Sequence, residues 1–121
     1  MTQPIKTLRV ENLPIEVYES NQAMGAAAAQ AARSVLRNAI AAKGAARIIL
    51  ATGNSQLTFL HALRDLDGID WSVVTVFHMD EYLGIDSDHP ASFPVFLREH
   101  IIDHVQPQRF HPVPNKPDDV D

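Results

Sequence analysis

At 121 residues the chain is about one domain long, and with 45% hydrophobic and 21% charged residues it has the make-up of a globular domain with a modest core. A formal net charge of −5 argues against nonspecific nucleic-acid binding, and the absence of cysteine excludes a disulfide scaffold, a thiol nucleophile and cysteine-ligated zinc. No run approaches the roughly 18 apolar residues that span a bilayer, and Met1-Thr2-Gln3-Pro4-Ile5-Lys6 lacks the organisation of a signal peptide, so a cytoplasmic protein with no membrane partner is expected.

In chain order, Leu8-Arg9-Val10 and Ile15-Glu16-Val17-Tyr18 alternate as strands do, with a turn signal at Asn12-Leu13-Pro14. Ser20 stands where a helix N-cap belongs and Gly44 where a helix stops. Between them Met24, Ala28, Ala31, Val35, Leu36, Ala39 and Ile40 recur at helical spacing and predict one packed face. Residues 46–51 read as a buried strand, and Leu57, Leu60 and Leu63 mark a second helix that ends near Arg64 and Asp65. After the Asp67-Gly68 turn, Trp71 is expected to pack at the entrance to a second apolar strand over 73–77. A loop over 80–90 leads to a helix near 92–104 with Phe96, Leu97, Ile101 and Val105 inward. The proline-rich end from Phe110 onward predicts no closing helix or strand. Alternation of strand and helix predicts parallel strands in a layered α/β sandwich.

Two strand ends carry the chemistry. Thr52-Gly53-Asn54-Ser55 follows a buried strand and opens a helix, where free backbone N–H groups and the helix dipole favour an anion. Gly53 allows close backbone approach, and the Thr52 and Ser55 hydroxyls can add donors. The turn has neither the second glycine and lysine of a Walker loop nor three dinucleotide glycines, which points to a small phosphate ester. Such a turn with Ser55 as a plain helix cap is the competing reading. At the second strand end, Val73-Val74-Thr75-Val76-Phe77 discharges into His78-Met79-Asp80-Glu81-Tyr82-Leu83-Gly84. Adjacent carboxylates on an extended backbone point apart, so one faces the site while the other braces a loop or meets a partner. A partly desolvated carboxylate at such a position can act as a general base next to a carbonyl or imine. A solvated, loop-capping Asp-Glu pair is the plain alternative.

Thr52-Gly53-Asn54-Ser55, His78-Met79-Asp80-Glu81-Tyr82-Leu83-Gly84, His89-Pro90-Ala91-Ser92-Phe93 and Asp103-His104-Val105, in this order and spacing, closely resemble the glucosamine-6-phosphate deaminase/isomerase family. The resemblance runs from about Ile48 onward. The related 6-phosphogluconolactonases share the fold and the phosphate turn but differ after the Asp-Glu. The resemblance implies a three-layer α/β/α Rossmann-like sandwich with a mostly parallel sheet, of which residues 1–121 are the N-terminal part of a single domain. It also implies an amino-sugar phosphate as substrate, converted from glucosamine 6-phosphate to fructose 6-phosphate and ammonia without cofactor or metal. Thr52, Gly53, Asn54 and Ser55 would hold the phosphate, and Asp80 would take the C2 proton. Asn54 stands where many members have glycine or serine, so its backbone contact carries over better than a side-chain role.

Family members are about twice this length. Their ring-opening histidine, its supporting acids and a basic phosphate ligand lie in the half with no counterpart here. The chain alone is therefore expected to be inactive, with further copies of itself or the missing C-terminal half as partners. A non-catalytic phosphosugar sensor and a 6-phosphogluconolactonase-like hydrolase are the alternatives, and a sensor has no need of a base at Asp80. His100 and His104, four apart, have a spacing that can bind metal but lack the zincin pattern, so a solvated helix end is preferred. His78 beside Asp80 could be an acid or an orienting group, or, as is commoner for a strand-end histidine, simply hydrogen-bonded in place, and the sequence leaves the two open. Ser55 and Ser92 have no Ser-His-Asp context.

Overall fold

The computed structural model describes residues 2–114; residues 115–121, and with them most of the proline-rich end, lie outside the described residues. Strands β1 (Lys6–Val10) and β2 (Leu13–Val17) form an antiparallel hairpin with Val10 opposite Leu13. Glu11, at φ 53, and Asn12 make the reversal, which corrects the turn expected at Asn12-Leu13-Pro14. Leu13 and Pro14 already belong to β2, and a two-stranded ribbon tolerates proline because each strand has an unpaired edge.

Helix α1 (Asn21–Lys43) begins and ends as its flanking residues predict: Ser20 Oγ accepts the Ala23 N–H at 3.0 Å, and Gly44, at φ 76, donates its N–H to the Ile40 carbonyl at 2.8 Å. Its packed face is another matter. Gly25, Ala29 and Leu36 are buried, with Ala32, Ala39 and Ile40 beside them, whereas Met24 and Val35 are 48% and 68% exposed. An alanine-rich helix offers two nearly equivalent apolar stripes. The one containing Gly25 wins because it allows the closest approach to the next helix, and Met24, Ala28, Ala31 and Val35 are left on the outer side.

Strand β3 (Ala46–Leu50), a 3₁₀ turn (Asn54–Gln56), helix α2 (Leu57–Asp65) and strand β4 (Val74–His78) follow in order, with Trp71 buried at the entrance to β4. Helix α3 (Phe93–Leu97) continues through a π-helical stretch (Arg98–Ile102) into α4 (Asp103–Val105). Arg109–His111 then adds a third strand, β5, parallel to β4, in the sheet order β3-β4-β5. This strand overturns the expectation that no element follows the last helix. It is three residues long with one apolar side chain, too little for an alternation pattern, and it is held by position: Gln108 N–H reaches the carbonyls of Trp71 and Val74 at 3.0 and 2.9 Å.

Ala46, Ile48, Leu50, Val74, Val76 and Phe110 occupy one face of the sheet and join Leu60, Leu63, Leu97 and Ile101 in a single apolar core. The alternate residues, Arg47, Ile49, Thr75, Phe77, Arg109 and His111, line the other face, where Ile49 is 67% exposed. The α/β class and the parallel sheet are as the residue pattern predicts, and the described residues supply one of the sandwich's two helical layers.

The π stretch explains a polar seam between α2 and the last helix. Asp103 N–H reaches back to the Arg98 carbonyl, a wide turn that leaves neighbouring carbonyls to side chains. The His100 carbonyl accepts from Arg64 at 3.1 Å, and His104 Nε2 lies 3.0 Å from the Glu99 carbonyl and 3.2 Å from Arg64. His61 Nε2 and His100 Nδ1 are 2.9 Å apart, so one ring donates and the other accepts. His100 and His104 thus serve this seam. Burial first, then the charges of Arg64 and His100, hold the His61 pKa below its ordinary 6.5. The native state consequently binds fewer protons than the unfolded chain just below pH 6.5, and stability is lost as pH falls from there through the lowered pKa. His78, also shifted down, acts in the same direction. Melting followed by circular dichroism should show the midpoint falling between pH 7.5 and 5. His61→Gln, which can keep a hydrogen bond to His100 without titrating, should flatten that dependence; an unchanged slope would exclude the pair as its source.

Candidate active site

The two chemical junctions meet at one edge of the sheet. In the parallel register Leu50 stands opposite His78, so the chain leaves β3 and β4 side by side, with Thr52 and Asp80 each two residues beyond. This is the carboxyl edge of a parallel sheet, where open α/β folds bind ligands. Gly53 takes φ 103, a conformation that strains any residue with a Cβ, although the space around it is open. Its carbonyl accepts the Gln56 N–H at 3.0 Å, which closes the turn into the 3₁₀ segment and α2. Thr52 and Gly53 are partly buried, and Asn54 and Ser55 are exposed. The turn therefore presents its backbone to solvent at the start of a helix.

Asp80 and Glu81 divide as adjacency on an extended chain predicts. Glu81 Oε1 accepts the Tyr82 N–H at 2.8 Å, and its carboxylate lies 3.2–3.3 Å from Phe93 N at the start of α3. A carboxylate at a helix N-terminus is favoured by the dipole, so Glu81 fastens the loop to that helix. Asp80 is exposed and makes no side-chain hydrogen bond or ion pair among the described residues. The loop itself is ordered by Ser92, which is buried and caps α3: its hydroxyl donates to the Ser87 carbonyl at 2.7 Å and accepts from Val95 N–H at 3.3 Å. Tyr82 packs against Phe93 with ring centroids 5.0 Å apart.

Residues 19–121 match the family described as glucosamine-6-phosphate isomerases/6-phosphogluconolactonase. The chain belongs to the glucosamine-6-phosphate isomerase/6-phosphogluconolactonase family. It is 35% identical over 83 residues to glucosamine-6-phosphate deaminase 2 of Bacillus subtilis, an alignment covering 64% of this chain and 33% of that protein. With the glucosamine-6-phosphate deaminase of Streptococcus gordonii the identity is 37% over 90 residues, covering 74% and 35%. Among solved structures, a 6-phosphogluconolactonase from Shewanella baltica superposes with a TM-score of 0.73 at 26% identity, over 81% of this chain and 42% of that one. A monomeric glucosamine-6-phosphate deaminase shares the fold with a TM-score of 0.67 at 20% identity, over 77% and 39%. The matches thus span about a third of the curated relatives and about two-fifths of the solved structures.

The groove nearest the turn, about 300 Å³, is lined by Ser55, Gln56, Thr58, Met24, Gly25 and Ala28, behind the turn and without Asp80. Two features of the edge escaped sequence reasoning. Ser92 was visible as a helix start before Phe93-Pro94, but not as the buried clasp of the loop. The hydrogen bond from Val113 N–H to His78 Nε2, 2.7 Å long, joins residues 35 apart and leaves no local pattern. No described helix is long and apolar enough to cross a membrane.

Proposed function

We propose that the protein carrying this chain is an amino-sugar phosphate deaminase/isomerase that converts glucosamine 6-phosphate to fructose 6-phosphate and ammonia. The observation that carries this reading is the side-by-side exit of β3 and β4, which sets the 52–55 turn beside Asp80. In the proposed reaction the backbone N–H groups of Gly53, Asn54 and Ser55, with the Thr52 and Ser55 hydroxyls, bind the 6-phosphate. That fixes the opened sugar with C2 toward the β4 end. The Asp80 carboxylate removes the C2 proton, the electron pair moves toward the C1 carbonyl, and an enolamine forms. Reprotonation at C1 gives an imine at C2; water adds there and ammonia leaves. Ring opening and the cationic side of the phosphate site would come from the length of the relatives that has no match here, so residues 1–121 are proposed to be part of one domain and inactive alone.

The solved lactonase favours a second reading, hydrolysis of a sugar-phosphate lactone, because it superposes with a TM-score of 0.73. Against it stand the deaminase relatives at 35% and 37% identity and the deaminase-like residues that follow Asp80-Glu81. The full-length protein given glucosamine 6-phosphate should release equal amounts of ammonia and fructose 6-phosphate. Turnover of 6-phosphogluconolactone alone would select the lactonase, and phosphosugar binding without turnover would select a sensor.

A further inference from the structure

His78 ends β4 two residues before Asp80 and is 4% exposed. A buried histidine beside a candidate base invites an acid or base role of its own, and the hydrogen bonds argue otherwise. Nε2 accepts the Val113 N–H at 2.7 Å, so that nitrogen carries no proton. Burial lowers the pKa of the ring, opposed by the charges of Glu81 and Asp80 and by the Asp80 backbone. A neutral ring with a bare Nε2 carries its one proton on Nδ1. That atom is buried, and no group among the described residues meets it in ordinary hydrogen-bond geometry. Phe110 packs against the ring, centroid to centroid 5.8 Å, and closes the side toward β5.

We propose that His78 is the positioning residue for Asp80, working as a neutral Nδ1–H tautomer that ties the segment after β5 to the end of β4. Among the described residues, those leaving β5 have no ladder partner beyond Phe77↔His111. The Val113–His78 bond is what continues the contact past the strand ends and holds that segment against the edge from which Asp80 projects. The ring cannot take up a proton at Nε2 without losing this bond, so it is unsuited to shuttle protons. Its contribution is to fix where the β4 end sits relative to the 52–55 turn on its other flank. Because catalysis of this kind depends on geometry near the ångström scale, loosening one wall of the edge is felt at the base.

The inference rests on Asp80 being the base, and the experiment separates the two. In the full-length protein, His78→Phe keeps the ring volume and removes the acceptor; kcat should fall on the order of 10²-fold with KM little changed. His78→Gln, whose side-chain oxygen can reach the place of Nε2, should recover most of the lost rate. In the wild type, two-bond ¹⁵N spectra should show Nδ1 protonated and Nε2 bare, and the Val113 amide should exchange slowly, becoming fast in His78→Phe. Equal kcat in the Phe and wild-type proteins, or an Nε2-protonated ring, would overturn the proposal. If His78→Phe does not fold, the tautomer and the Gln variant still decide: a protonated Nε2, or a His78→Gln variant as slow as His78→Ala, goes against it. Should Asp80→Asn keep its deaminase activity while the His78 spectra are as described, the base assignment fails and the clasp alone survives.

Discussion

Asp80→Asn in the full-length protein should lower deamination by about 10²–10⁴-fold, the usual contribution of a positioned general base, while leaving the melting temperature and phosphosugar binding close to wild type. The substitution is nearly isosteric, and the amide cannot accept the C2 proton. Its small effect on stability follows from the surroundings, since Asp80 is exposed and its carboxylate is engaged by no side chain or backbone N–H among the described residues. Glu81→Ala should behave in the opposite way. It removes an acceptor from Tyr82 N–H and from the α3 start at Phe93. Losing charge-assisted bonds to backbone donors costs on the order of 1.5–3 kcal/mol, so the melting temperature should drop even in assays without substrate. Ammonia release and thermal melting of the two variants separate chemistry from bracing. Undiminished ammonia release by Asp80→Asn would remove Asp80 from the mechanism.

Gly25→Ala is the second large effect, and its sign is the reverse of what helix propensity suggests. Gly25 lies one turn inside the start of α1, and exchanging glycine for alanine in the interior of a helix normally gains about 0.8–1 kcal/mol. Here the added Cβ would sit 2.6 Å from Thr58 Oγ1 and 2.7 Å from the Thr58 backbone carbon. A side chain could rotate away, but backbone cannot, so α1 and α2 must separate along their whole contact. Overpacking of this kind costs roughly 1–3 kcal/mol or more, and each 1 kcal/mol is about 2–4 °C in the melting temperature of a domain of about 150–250 residues, and more in a smaller one. Thr58 lies three residues after Ser55, so displacing α2 also displaces the turn proposed to hold the phosphate. Gly25→Ala should therefore lower the melting temperature and weaken phosphosugar binding together. Adding Thr58→Gly should recover part of the first. A variant as stable as wild type would show that the helices have room to spare.

Much of this is legible in the sequence. Continuous apolar runs that end abruptly in polar residues placed β3 and β4, because a parallel strand buried along its length has no polar alternation to confuse the reading. The same abrupt ends located the 52–55 turn and the carboxylates. Ser20 and Gly44 bounded α1 because each satisfies backbone groups that a helix end leaves unpaired. Its packed face was not legible: among so many alanines, periodicity could not weigh Gly25 against Met24, and the contact with Thr58 that decides between them lies 33 positions away in sequence. Strand β5, the His61–His100 pair and the Val113–His78 bond share that difficulty. Each depends on what a distant segment brings to it, and none has a local pattern that demands it.

The π-helical stretch at Arg98–Ile102 also bears on how this chain should be compared with its kin. A π turn holds one residue more than the α-helical turn it replaces, as a single-residue insertion into a regular helix would. Removing one residue there would restore a regular helix and leave Asp103–Val105 and the approach to β5 close to their present phase, because the wide turn takes up the extra residue. Relatives with an uninterrupted helix should accordingly show a one-residue gap at this point. Alignments that refuse the gap will misassign His100, His104 and every position that follows, including strand β5.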